Sequence, residues 1–126
     1  MKRDWELVRK ILLKIEALET IKRSVVCAQD IEDYDEENVS YHIYLLEQAG
    51  LIEAAVQKHH NTGIRALAYN LTWSGHEFLD VIRDPDIWQQ TKEGAKKATG
   101  FSLELLRDLA KGLIKKKIEE HTGIQL

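Results

Sequence analysis

The sequence predicts a mainly α-helical chain carrying one small β-hairpin, and three observations lead there. Apolar residues recur at helical spacing in several separate segments, two short alternating runs flank the polar loop HHNTG, and cap residues punctuate the boundaries. The 126 residues allow one modest core and are too few for two independent ones. A hydrophobic fraction of 44% with 31% charged residues fits a globular protein, because a disordered chain would hold fewer Leu and Ile and a larger charge imbalance.

Asp4 suits the cap of a first helix over residues 4 to 19, with Glu6 opposing the positive end of its dipole and Val8, Ile11, Leu12 and Ile15 forming the apolar stripe. The β-branched run in RSVVCAQDI predicts a short strand or an extended connection. A second helix follows over residues 36 to 50, where Val39, His42, Ile43, Leu46 and Ala49 converge on one face and Gly50 suits a left-handed C-cap. Ile52, Ala54 and Val56 then alternate with Glu53 and Gln57, and Leu67, Tyr69 and Leu71 alternate with Ala66, Ala68 and Asn70. Period two on both sides of a loop holding Asn61 and Gly63 predicts the hairpin. Thr72 or Ser74 caps the next helix, Ser74 and Glu77 having capping-box spacing, with Phe78, Leu79 and Ile82 as its stripe. Asp84 and Pro85 supply a cap and a first-turn proline for another helix, weakened by Gly94 and ending near Gly100. Ser102 caps the last helix, which runs to about His121, and the tail TGIQL frays.

Helix, short strand, helix, two-stranded hairpin and helix follow one another in the order of a winged helix. The string VSYHIYLLEQAGLI resembles the junction between recognition helix and first wing strand in such regulators, and YNLTWSGHEFL resembles the exit from the second wing strand. The expected architecture is a winged helix-turn-helix with additional C-terminal helices. Residues 1–84 would form the winged-helix domain and residues 85–126 a helical extension that packs on it or dimerises. Across nearly the whole chain, MKRDWELVRKILLKIE, VSYHIYLLEQAGLI, LTWSGHEFLDVIRDPDIWQQTK and GFSLELLRDLAKGLIKKKI look like a family found mainly in phages and prophages, domain of unknown function 2513. The resemblance implies a phage-like bacterial setting and a small, non-secreted protein. It supplies no activity, cofactor or binding residue, so function has to be argued from the side chains.

Winged helices that bind duplexes place the recognition helix in the major groove, and lysines and arginines neutralise the phosphates. Here residues 24 to 57 contain Asp30, Glu32, Asp33, Asp35, Glu36, Glu37, Glu47 and Glu53 but neither lysine nor arginine. The outward face expected for the second helix carries Glu37, Ser40, Tyr41, Tyr44, Glu47 and Gln48, which offers no arginine to guanine and would repel phosphate. Cations lie elsewhere: Lys58, His59, His60 and Arg65 around the hairpin loop, with Lys10 and Lys14 on the first helix, form the candidate nucleic-acid contacts. Residues 92 to 117 are also lysine-rich, a pattern that suits a solvated helix face.

Two functions follow, both non-enzymatic. In the first, slightly favoured by the fold, the chain is a DNA-binding regulator whose wing contacts phosphate while its recognition helix stays electrostatically weak. In the second, Glu37, Tyr41, Tyr44 and Gln48 bind a basic protein partner, because large amphipathic aromatics concentrate at protein interfaces. Leu106, Leu109 and Leu113 form an a/d-like seam suited to packing within the chain or to a homodimer.

Other chemistries find no support in the spacing. The histidines lack metal-ligand spacing, LTWSGHE lacks the first glycine of a nucleophile elbow, and every glycine is isolated, so no catalytic residue, metal or cofactor is expected. Cys27 reads as a small buried hydrophobe and His42 as a hydrogen-bonded structural residue. With a single cysteine, no long apolar run and no secretory signal, the expected location is cytoplasmic and away from membranes.

Overall fold

A computed structural model describes residues 2–20, 24–97 and 101–126. Asp4 opens α1 (Trp5–Glu16), its carboxylate accepting from the backbone N–H groups of Glu6 and Leu7. Such a cap contributes about 1 kcal/mol. The stripe Val8, Ile11, Leu12 and Ile15 is buried as its spacing requires, and Leu7 joins it. The helix ends at Glu16 rather than at residue 19.

Val26 pairs with Ala68 through two backbone hydrogen bonds of 2.9 Å, the one strand-like contact of the connection among the described residues. The chain then makes a single 3-10 turn, Ala28–Asp30, before α2 (Glu36–Gln48). Asp35 caps α2 through Asn38 N–H. The other end closes as a Schellman motif: Gly50 N–H reaches Glu47 O, Leu51 N–H reaches Leu46 O, both at 3.0 Å, and Gly50 takes φ +75°. Val39, His42, Ile43 and Leu46 are buried, whereas Ala49, expected beside them, is exposed because the helix has already reached its cap. Ser40, expected outward, is only 5% exposed.

Strands β1 (Ile52–His59) and β2 (Gly63–Leu71) form the antiparallel hairpin. Its facing differs from the alternation expected for β2. Glu53 pairs with Asn70 and Ala54 with Ala68, so Tyr69 has no partner and bulges. That extra residue shifts the phase of the strand, so Ala66 and Ala68 share the buried side with Leu71, and Leu67 and Tyr69 are exposed.

Thr72, not Ser74, caps α3 (Trp73–Ile82): its hydroxyl accepts from Gly75 N–H at 3.1 Å while donating to Gly50 O at 2.6 Å. Phe78, Leu79 and Ile82 are wholly buried, and Trp5 meets Phe78 edge-on with ring centroids 6.3 Å apart. Asp84 caps α4 (Pro85–Lys97) through Ile87 N–H, with Pro85 in the first turn. The expected end of that helix near Gly100 lies outside the described residues. Ser102 caps α5 (Leu103–Thr122) through Leu105 N–H, and Gly123 closes it at φ +73°.

The chain forms two compact units, Met1–Leu79 and Asp80–Leu126, dividing inside α3. The first holds α1, α2 and the hairpin, and His42 ties α1 to α2. Its Nε2 accepts from Asp4 N–H at 2.7 Å, so the ring proton lies on Nδ1 and is donated to Asn38 O at 2.9 Å. In the second, α4 and α5 lie antiparallel: Leu109 reaches Gly94, and Lys117 pairs with Asp84 at 3.8 Å.

Candidate functional site

The α2 surface and the hairpin meet at Tyr44. Its hydroxyl accepts from Lys58 Nζ on β1 at 2.7 Å and from Gln48 Nε2, one turn along α2, at 2.8 Å. The ammonium also stands 4.1 Å from the Tyr44 ring centroid. Tyr41 lies one turn earlier, its ring centroid 6.3 Å from that of Tyr44 and 5.9 Å from that of His42. At the start of α2, Glu37 extends over the hairpin turn: a Cβ added to Gly63 would stand 3.0 Å from Glu37 Oε1. The residues expected to bind a protein, Glu37, Tyr41, Tyr44 and Gln48, therefore share one surface with Lys58, which was expected to bind phosphate.

The hairpin register separates the remaining cations. Lys58 is opposite Ile64 and Arg65 is opposite Gln57, so these neighbouring positions project from opposite faces of the ribbon. Arg65 lines a concavity of about 410 Å³ with Cys27, Ala28, Gln29, Gln57 and Leu67. His59 ends β1, and His60 lies exposed in the turn after it. Lys10 and Lys14 project from α1 beside acidic residues: both line a shallow groove with Asp30, Glu32 and Asp33, and Lys10 Nζ lies 5.1 Å from the Tyr34 ring centroid. The six candidate phosphate contacts are thus spread over four settings, and Lys10 and Lys14 share theirs with Asp30, Glu32 and Asp33.

Cys27 is half-exposed rather than buried. Its backbone N–H and its thiol both approach Asp30 Oδ2, at 2.8 and 3.4 Å, which closes the 3-10 turn. His42 is wholly buried and hydrogen-bonded at both ring nitrogens. Among the described residues, no group of three His, Cys, Asp or Glu side chains converges as a metal site would require. Among the described residues, no helix is long and apolar enough to cross a membrane.

Leu109 and Leu113 of α5 lie against α4. Leu106 is wholly buried, Leu109 Cδ1 comes within 3.7 Å of where a Gly94 Cβ would stand, and Leu113 lines a groove with Ile87 of α4.

Trp73 carries no role in the reading of the sequence, yet it is 81% exposed at the first position of α3. Helical spacing held the signal, since at about 100° per residue it lies roughly opposite the stripe Phe78, Leu79 and Ile82. The indole Nε1–H donates to Glu77 Oε1 at 3.0 Å, one turn along the helix.

Comparison with known proteins adds kinship. An uncharacterized protein of Haemophilus influenzae is 40% identical over 115 residues, covering 90% of this chain and 96% of that protein. No solved structure matches the chain. The model of the family described as hypothetical protein DUF2513 matches residues 2–102, and with most of the chain inside that match, it belongs to the DUF2513 family.

Proposed function

We propose that this chain is a non-enzymatic protein-interaction module that docks a protein partner on the α2 face formed by Glu37, Tyr41, Tyr44 and Gln48. The architecture behind it reads as a winged helix in which the helix before the recognition helix is reduced to one 3-10 turn. Support for that comes from the order α1, Val26 bridge, α2 and hairpin. The phage-type, cytoplasmic setting implied by the resemblance is compatible with such an adaptor.

The observation that carries the reading is the bond from Lys58 to Tyr44. A lysine used for phosphate contact does best when its ammonium is free to face the backbone of the nucleic acid. Here Lys58 turns back onto a phenol, leaving its two other N–H groups beside an α2 surface whose only formal charges are the carboxylates of Glu36, Glu37 and Glu47. The bond also orders Tyr44 before any partner arrives. A large amphipathic ring held in place contributes contact area at little further entropic cost.

Site-specific photo-cross-linking tests the proposal. A benzoylphenylalanine at position 41 is expected to trap one discrete protein in the native host, with none trapped from the exposed position 89 on α4. Adducts to nucleic acid, or identical adducts from both positions, would overturn it.

Exposure of His59, His60 and Arg65 at the hairpin favours a second reading, a regulator that contacts duplex phosphates through its wing. Fluorescence anisotropy with generic duplexes separates the two. Saturable binding at about 50 mM salt that weakens steeply with salt and is lost in Arg65→Ala supports the regulator. No binding at that ionic strength eliminates it.

A further inference from the structure

Trp73 stands on a rigid joint. Thr72 N–H bonds Leu51 O at 2.9 Å, and the Thr72 hydroxyl bonds Gly50 O. Gly75 packs so closely that a Cβ there would overlap Leu51 O. These contacts lock the first turn of α3 onto the link between α2 and β1. The bond to Glu77 fixes the indole on that turn, and an exposure of 81% leaves the ring accessible. The ring face of Trp73 is thus held in one place on an ordered helix while most of its surface meets solvent.

The formal charges carried by the segments that form the joint have one sign. Glu77 holds the indole, and Glu53, whose carboxylate accepts from Asn70 Nδ2 at 3.4 Å, lies on β1 two residues past Leu51. Glu47 lies in the last turn of α2, and all three glutamates are exposed. Neither residues 24 to 57 nor residues 66 to 82 contain a lysine or arginine. An electron-rich ring face with a carboxylate bonded at its edge attracts a planar cation, which can stack on the indole while donating to that acid. The same charges repel nucleic acid and anionic lipid.

We infer that the joint between α2 and α3 is a second docking site, for an arginine-bearing segment of a protein partner, with the guanidinium stacked on Trp73 and paired with Glu77. The site is separate from the tyrosine face of α2 and does not depend on it.

The test is an NMR titration of the full chain, with the Trp73 indole N–H peak assigned through Trp73→Phe. Probes are three nine-residue peptides alternating serine with arginine, lysine or glutamate. The arginine peptide is expected to shift the Trp73 peak while leaving the Trp5 and Trp88 peaks in place. Its affinity for Trp73→Ala should fall about tenfold at matched ionic strength. Glu77→Gln should weaken it as well, Lys96→Met should leave it unchanged, and the lysine peptide should bind more weakly. The shift in the unmodified chain reads the site even if a variant folds poorly. Equal affinity of the unmodified chain and Trp73→Ala, equal binding of the arginine and lysine peptides, or no shift at Trp73 would each overturn the inference.

Discussion

His42 Nε2 accepts the backbone N–H of Asp4 at 2.7 Å, across 38 positions of sequence, while Nδ1–H donates to Asn38 O. One ring thus joins the cap of α1 to the first turns of α2 through a side chain with no exposed surface. His42→Ala removes the acceptor, leaves Asp4 N–H without its partner and opens a cavity. The expected loss is about 2–4 kcal/mol, read as a lower urea midpoint. His42→Gln, which can still present an acceptor and a donor, should recover part of it. Equal midpoints for His42→Ala and the unmodified chain would show the bond to be incidental.

Two glycines separate backbone strain from steric overlap. Gly50 takes φ +75° with open space where a Cβ would go, so Gly50→Ala should cost only the left-handed penalty of about 1–2 kcal/mol. Gly75 meets the backbone oxygen of Leu51, which cannot rotate away as a flexible side-chain end could. Gly75→Ala should therefore cost more than Gly50→Ala, on the order of 3 kcal/mol or above, or prevent folding. Thermal unfolding of both variants gives the order, and the reverse order would contradict the packing of α3 described above.

Leu106→Ala should cost about 2–5 kcal/mol, because the side chain is wholly buried inside a single chain. The loss should be the same at low and high micromolar protein, measured by hydrogen exchange at the α5 amides. A loss that shrinks as concentration rises would instead assign this leucine to an interface between copies.

Much of the fold was legible because caps act locally. Asp4, Asp84 and Ser102 each stand where a side-chain oxygen is needed, and Gly50 stands where the chain must turn left-handed. The bulge was not legible: Tyr69 fits a regular alternation, and only the pairing of Glu53 with Asn70 and of Ala54 with Ala68 shows that it is skipped. Ser40 looked outward because helical spacing gives an angle but not how wide the covered arc will be. The candidate site was legible as two rival sets of residues, one basic and one aromatic. Their meeting at Lys58 and Tyr44 follows from the path of β1 alongside α2, a tertiary fact that lies beyond periodicity.

The bonds around Thr72 sew the two ends of the hairpin together at its base, where Ile52 pairs with Leu71, while the turn between His59 and Gly63 lies at the far end of the ribbon. Length and composition can therefore vary at the tip without loosening the frame. Residues 60 to 62 form an insertion point where a foreign loop or reporter peptide can be grafted, and selection can reshape that end while the joint at Gly50, Leu51 and Thr72 stays closed.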